Sequence, residues 1–333
     1  MSLVAFAALA LTLFQAPNST MKAARIAKFG ALDVVKVEDA PRPSPGEGEL
    51  LVRVHASAVN PVDWKIVQGL IPSLKQSFPY TLGCDVSGTV EALGPKVEGW
   101  KTGEEVYAYS NLMRGGAFAE YVVLPASDVA RKPKSVDHAL AAAIPLAALT
   151  AWQALFDTAK LEAGQSVLVH AGAGGVGHFA VQFAKWKGAK VYATASKDKL
   201  AFVKDLGADV VIDYQAQKFE DVVSNVDVVF DMVGGETQAR SLAVLKKNGF
   251  LVSIVGAPPK KELELRVLRG AGILLKPDAG ELKQIAELVD AGKVKPHVSA
   301  TFPLADAAKA LALSKEGHAV GKIAIEVVPA PKK

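Results

Sequence analysis

The chain has 333 residues, half of them apolar, with a net charge of +4 and one cysteine. That length and apolar content suffice for the cores of two domains and exclude a disordered or fibrous protein. The lysines and arginines are dispersed, with no basic block or basic–aromatic stripe for a nucleic-acid partner, and Cys84 alone excludes an internal disulfide and a cysteine-rich zinc lobe.

Residues 1–20 carry an apolar run from Leu3 to Phe14, the length of a signal-peptide core and too short for a comfortable membrane span. No Lys or Arg precedes the run, and Phe14-Gln15-Ala16-Pro17 is a poor cleavage site. Three readings stand: a secretory signal, a membrane-surface anchor, or an extension upstream of a start at Met21. We favour the third, because the globular pattern begins abruptly there. A cytoplasmic location follows, with secretion the outcome if the segment acts as a signal.

Residues 21–143 read as a β-rich domain. A rigid loop at Pro41, Pro43, Pro45 and Gly46 leads into Leu50 to Ala56, whose alternation predicts a half-buried strand. Asn60-Pro61-Val62-Asp63-Trp64-Lys65 is a polar cluster between apolar stretches. Short strands joined by glycine turns follow, through Gly83-Cys84-Asp85 to Tyr121-Val122.

From Ile144 the character turns helical, with Thr150 in a run of small residues. Val167 to Val169 is a short apolar strand, followed at once by Gly172, Gly174 and Gly177 in G-x-G-x-x-G spacing. The first glycine permits a tight turn, the second lets backbone approach a pyrophosphate, and the third allows close packing of the helix that follows. That helix places Val176, Ala180, Phe183 and Ala184 on one face and aims its N-terminus at the phosphates. Lys190 to Thr194 completes a βαβ unit, which makes dinucleotide binding the reading over a bare structural turn.

An NAD site usually carries Asp or Glu at the tip of that second strand. Here it ends in Ser196-Lys197-Asp198-Lys199. Ser196, Lys197 and Lys199 offer a hydroxyl and positive charge to a 2′-phosphate, with Asp198 pointing away, so the missing acid favours NADP. The bland alternative is a capping serine followed by solvated lysines.

Alternation continues with a helix from Leu200 to Leu206, strands at Val210 to Asp213 and Val226 to Asp231, a helix from Thr237 to Lys246 and a strand from Phe250 to Val255. This is an α/β, doubly wound parallel sheet. Its ligand side lies beyond the strand ends, at Asp231 to Gly235 and Val255 to Pro258. Ile273-Leu274-Leu275 reads as an edge strand, either covered by its own chain or paired with its copy in a homodimer. Asp278 and Glu281 form a capping box before a helix with Leu282, Ile285, Ala286 and Val289 on one face. β character returns at Gly321 to Glu326.

From Met21 onward the chain resembles the zinc-independent quinone oxidoreductase (zeta-crystallin-like) branch of the medium-chain dehydrogenase/reductase superfamily. Val59 to Lys65, Gly83 to Gly88, Ala171 to Gly177, Leu206 to Asp209 and Gly321-Lys322-Ile323 carry the likeness. The resemblance implies a GroES-like catalytic domain at 21–143 and 293–333, a Rossmann domain at 144–292, and NADPH in the cleft between them. It implies cofactor contacts at Thr150 by the nicotinamide, Gly174, Gly175 and Val176 at the pyrophosphate, and Ser196, Lys199 and Tyr214 at the 2′-phosphate. Val233, Val255, Gly256 and Lys322 are further candidates. The zinc-dependent relatives place a cysteine near Asn60 and a His-Glu pair near Cys84-Asp85. Here the first is absent and the histidines show no ligand-like pairing, so no catalytic metal is expected.

Hydride transfer to a quinone or an α,β-unsaturated carbonyl needs only donors in a dry cleft. The resemblance places the Asn60 to Lys65 loop beside the nicotinamide, which makes Asn60 and Lys65 the candidates, Asn60 to position ribose and carboxamide and Lys65 to bring positive potential to the developing enolate. Tyr107 and Tyr109 are possible proton donors, with water the default. The rivals are a trans-enoyl thioester reductase and an NADPH-binding sensor with little turnover.

Overall fold

The protein is described by a computed structural model over residues 19–71 and 77–328. The expectations for residues 1–18, and the middle of the loop between Val67 and Phe78, lie outside the described residues.

A six-stranded sheet, parallel at every pairing, forms one half. Its order is Val210–Asp213, Lys190–Ala195, Ser166–Val169, Val226–Asp231, Leu245–Ser253, Arg269–Gly272. In chain order that is 3-2-1-4-5-6, the doubly wound arrangement whose crevice opens where the order reverses, beside Ser166–Val169. Both faces of this strand are covered: Val167, Leu168 and Val169 are buried, as a parallel central strand requires.

The other half is built on a seven-stranded sheet around the long strand Glu49–Val59, which pairs with Asp85–Leu93, Tyr121–Pro125 and Lys322–Glu326. The last of these comes from far along the chain, so a sheet whose first strand is Glu49–Val59 is completed by Lys322–Glu326. A small sheet of Lys36–Pro41, Thr20–Ile26 and Tyr80–Thr81 packs alongside.

Four local expectations are corrected. The strand at Leu50–Ala56 is not half-buried: Leu50, Leu51, Val52, Val54 and Ala56 are all buried, because other strands and the His138–Ala142 helix cover what alternation would leave to solvent. The polar cluster after it is a helix, Pro61–Val67, with Asn60 at its N-cap and proline at its first position. The helix expected over 237–246 is Gly235–Ser241, and the next strand starts early at Leu245, which pairs with Val226 before a bulge. The outer edge strand is Arg269–Gly272 and not 273–275. Its glycines allow close approach to Pro258 and Ala257, and Ile273-Leu274-Leu275 then leaves the sheet toward the crevice.

The halves share buried contacts. Tyr107, fully buried, donates its hydroxyl to the Leu282 carbonyl of the Ala279–Asp290 helix. Among the described residues no helix is long and apolar enough to cross a membrane.

Candidate active site

The turn after Ser166–Val169 is shaped by backbone crowding. Ala171 sits at φ +52, a conformation uncommon for a side chain, and its carbonyl accepts the Gly174 amide at 3.0 Å. A Cβ on Gly177 would lie 2.1 Å from that same oxygen, so the position requires glycine. On Gly172 it would meet Ala193 at 3.1 Å, beneath the turn. The Gly177–Lys187 helix starts here, and Gly177 in its first turn lines the crevice. The face expected to carry Val176, Ala180, Phe183 and Ala184 is wider in fact, since Phe179 and Val181 are buried too.

A cavity of about 440 Å³ opens at this turn. It brings together Asn60, Lys65, Thr150, Gly174, Gly175, Val176, Gly177, Val255 and Lys322 of the expected residues. Leu112, Leu146, Met232, Ile273 and Leu275 give it an apolar wall, and Tyr109 also lines it. A second cavity of about 310 Å³ holds Tyr214 and Val233 with Thr237 and Arg240, and Ala171 lines both. Gly172 lies under the turn and lines neither cavity. Ser196, Lys197 and Lys199 follow Lys190–Ala195 outside both, and Gly256, at φ +148, accepts a hydrogen bond from Gln238 through its carbonyl.

Asp198 does not point away. The Ser196 hydroxyl donates to it at 2.6 Å and holds its carboxyl below the ordinary value, while Lys199 donates to the His318 carbonyl at 2.8 Å. Thr150 donates its hydroxyl to Leu146 O at 2.7 Å, one turn back in the Pro145–Trp152 helix.

The floor of the larger cavity is a buried polar network. Asp85 has no exposed surface and accepts from Leu146 N at 2.7 Å and from Asn60 Nδ2 at 2.8 Å. The other Asn60 amide proton goes to Ala58 O at 3.4 Å, and its Oδ1 accepts from Lys322. Asp63 accepts the Asn60 backbone amide at 2.7 Å. Burial drives the Asp63 carboxyl up to about 7, against the pull of that amide and the Lys322 charge. Nothing in the sequence separates Asp85 from an ordinary turn aspartate, because its partners lie 25, 61 and 237 positions away.

His170 follows the first strand of the unit and is buried between Thr194 Oγ1, at 3.2 Å, and Ser241 Oγ, at 2.9 Å. Desolvation lowers its pKa from 6.5 to about 4. The folded state keeps it neutral while the unfolded chain takes up a proton below 6.5, so the stability it confers is whole above 6.5 and is lost as pH falls toward 4. The stability advantage of the wild type over His170→Gln should shrink through that window, by up to about 1.4 kcal/mol per pH unit. Urea melts of both proteins at pH 7.5, 5.5 and 4.5 check this, and a pH-independent difference would contradict it.

A Rossmann crevice closed by a GroES-like sheet, with a glycine turn and an apolar cavity between them, defines a two-domain pyridine-nucleotide oxidoreductase. Residues 46–134 match the alcohol dehydrogenase GroES-like domain and residues 206–325 the zinc-binding dehydrogenase domain. The chain is 37% identical to the NADPH-dependent alkenal/one oxidoreductase of Arabidopsis thaliana, over 93% of this chain and 80% of that one. It is 36% identical to the chloroplast envelope quinone oxidoreductase homolog of the same plant, over 86% and 92%. Among solved structures, the quinone oxidoreductase from Coxiella burnetii superposes with a TM-score of 0.87 at 36% identity, covering 93% of this chain and all of that one. A mycobacterial protein complexed with NADPH gives 0.83 at 31% identity, over 92% and 99%. The chain belongs to the medium-chain dehydrogenase/reductase superfamily, in its quinone oxidoreductase-like branch.

One of the matching family descriptions names zinc, and the donors here do not fit it. Burial pushes the Cys84 thiol well above its ordinary pKa, Asp85 already faces the Lys322 ammonium at 3.3 Å, and Asn60 offers one amide oxygen. Among the described residues no three His, Cys, Asp or Glu side chains are grouped to hold a metal ion.

Proposed function

We propose that this protein is an NADPH-dependent, metal-free reductase that delivers hydride to the β-carbon of an α,β-unsaturated carbonyl or to a quinone. The observation that carries the reading is the single cavity joining the glycine turn to Asn60, Lys65 and Thr150 under an apolar wall. The names of the relatives, an alkenal/one oxidoreductase and quinone oxidoreductase homologs, support the acceptor class.

When bound, NADPH supplies the hydride from its nicotinamide C4. The chain's own residues do the rest. Backbone at Gly174, Gly175 and Val176, with the N-terminus of Gly177–Lys187, holds the pyrophosphate. Thr150 borders the nicotinamide end, and Val255 and Gly256 the ribose. Asn60 has both amide protons committed within the protein, so it serves the cofactor as an acceptor through the remaining lone pair of Oδ1. Lys65, its ammonium 5.5 Å from the Trp64 ring, is the donor that stabilises charge developing on the carbonyl oxygen. The apolar wall keeps water from the transfer, and the enolate takes its proton from water at the mouth. Tyr107 is committed to Leu282, whereas Tyr109 lines the cavity with its phenol pushed up by burial.

At the adenosine end, Tyr214 and Val233 enclose the second cavity, and Ser196, Lys197 and Lys199 receive the 2′-phosphate. For that, Lys199 exchanges the His318 carbonyl for the phosphate. Lys199→Ala should raise the KM for NADPH roughly 10- to 100-fold, the equivalent of one charge-assisted hydrogen bond, and leave that for NADH unchanged. Equal changes for both cofactors in steady-state assays would refute the assignment.

The same reading divides the chain into a catalytic domain of 21–143 with 293–333 and a cofactor domain of 144–292. It makes the protein a homodimer through the open edge strand Arg269–Gly272, with Leu274 just beyond it 82% exposed, to be checked by light scattering. A cytoplasmic location rests on a start at Met21, and fluorescent fusions with and without residues 1–20 test it.

The functional test is oxidation of NADPH and NADH by the full chain with 9,10-phenanthrenequinone and with a short alkenone, in the presence of a chelator. NADPH-selective turnover of either acceptor is expected. Tight NADPH binding with no turnover would favour the thioester reductase or the sensor.

A further inference from the structure

Lys322 sits where three parts of the site meet. Its own backbone N–H donates to His297 O at 2.9 Å, and that of Gly321 donates to Ala173 O at 2.8 Å, which ties the last strand to the glycine turn. The approach is close: Gly321 is at φ +61, and a Cβ on it would lie 2.5 Å from His297 O. A Cβ on Gly175 would lie 3.1 Å from Lys322 Cδ. The Lys322 side chain is therefore in the wall of the pyrophosphate turn, yet its ammonium turns inward. With the residue 3% exposed, Nζ donates to Val59 O at 2.8 Å, to Asn60 Oδ1, and to Asp85 Oδ2 at 3.3 Å, three acceptors for three protons. Asp85 in turn holds Asn60 Nδ2 and the backbone of Leu146, at the start of the helix that carries Thr150.

A buried ion pair is a poor way to gain stability, since apolar side chains of similar volume fill such a site without the cost of removing two charges from water. What Lys322 and Asp85 do impose is direction. A donor on one side and an acceptor on the other permit a single orientation of the Asn60 carboxamide, with one Oδ1 lone pair left over.

We propose that Lys322, neutralised by Asp85, is a positioning residue that fixes the Asn60 carboxamide and presents its Oδ1 to the nicotinamide ribose, rather than a ligand of the cofactor phosphates. The assignment rests on the proposed role of Asn60 at the nicotinamide end. It links the last strand, the glycine turn and the reactive end of the site through one amide.

The test uses the full chain and three variants: Lys322→Met, the double variant Lys322→Met/Asp85→Asn, and Asn60→Ala. Lys322→Met alone strands a buried carboxylate and should melt well below wild type. The double variant removes both charges and should regain most of that loss, while the donor to Asn60 Oδ1 stays absent. Its kcat should remain roughly 10- to 100-fold below wild type, the equivalent of one hydrogen bond to a charged group. Its Kd for NADPH should rise about ten-fold, read from nicotinamide fluorescence, with no change for 2′-phospho-ADP-ribose, which lacks the nicotinamide end. Recovery of kcat together with melting temperature would show a merely structural pair, and equal weakening of both ligands would place Lys322 at the phosphates; either overturns the proposal. If the double variant does not fold, Asn60→Ala decides: it should weaken NADPH and spare 2′-phospho-ADP-ribose, and unchanged NADPH affinity would refute the role of the amide. Absence of turnover in the wild type would sink the reductase reading, and the ligand comparison would still report on Lys322.

Discussion

Gly177→Ala should abolish measurable NADPH binding and cost roughly 1–3 kcal/mol of stability, the range for forcing an extra carbon into a packed site. The added Cβ would lie 2.1 Å from Ala171 O and 2.9 Å from both Ala171 C and Gly172 Cα. All three are backbone atoms, so no side chain can swing aside, and Ala171 already sits at a positive φ. Relief requires the turn to open and the helix N-terminus to withdraw, which removes the anion site. Gly174→Ala is the internal comparison for stability, because its Cβ would stand 3.3 Å from Ala171 O and a shift of a few tenths of an ångström accommodates it, so the fold should hold while the backbone proposed to approach the pyrophosphate is crowded. Calorimetric titration with NADPH checks both, and near-normal binding by Gly177→Ala would refute the close-approach argument.

Lys65→Met should lower kcat/KM for an enone by roughly 10²- to 10³-fold, the loss typical of removing one donor aimed at a developing oxyanion. Methionine keeps the apolar stem in the Pro61–Val67 helix, so packing around Trp64 changes little. Among the described residues that line the cavity, the other lysine is Lys322, whose ammonium is committed to Asn60 and Asp85. It does not replace the lost donor. NADPH affinity should stay close to wild type, since the charge acts on the acceptor. An unchanged kcat/KM would move the stabilising role elsewhere, with Tyr109 the next side chain to test.

Much of this was legible in the sequence for a physical reason. Gly172, Gly174 and Gly177 act within one short turn, and the strand, helix and strand around them are contiguous, so spacing alone exposes the cofactor end. The pairing order of the six-stranded sheet then fixes where that turn faces. Asp85 and Lys322 were hard to read because their chemistry is entirely non-local: 237 positions separate two side chains that meet. Lys322 was expected among the cofactor contacts, and it does line the cavity, but only the folded chain shows its ammonium turned toward Asn60. Ile273–Leu275 misled for another reason. An apolar triplet suits a strand edge or a cavity wall equally, and the edge strand, whose glycines at 270 and 272 admit close neighbours, ends before it.

The most direct measurement of the account is the fate of the hydride. Reduction of a short alkenone with NADPH deuterated at nicotinamide C4, by the full chain in the presence of a chelator, should place deuterium at the β-carbon of the saturated ketone. The same reaction with ordinary NADPH in D₂O should label only the α-carbon. That pair of outcomes is what a metal-free hydride transfer, followed by protonation from water, predicts. Loss of turnover on chelation, or deuterium at the carbonyl carbon of an alcohol product, would contradict it.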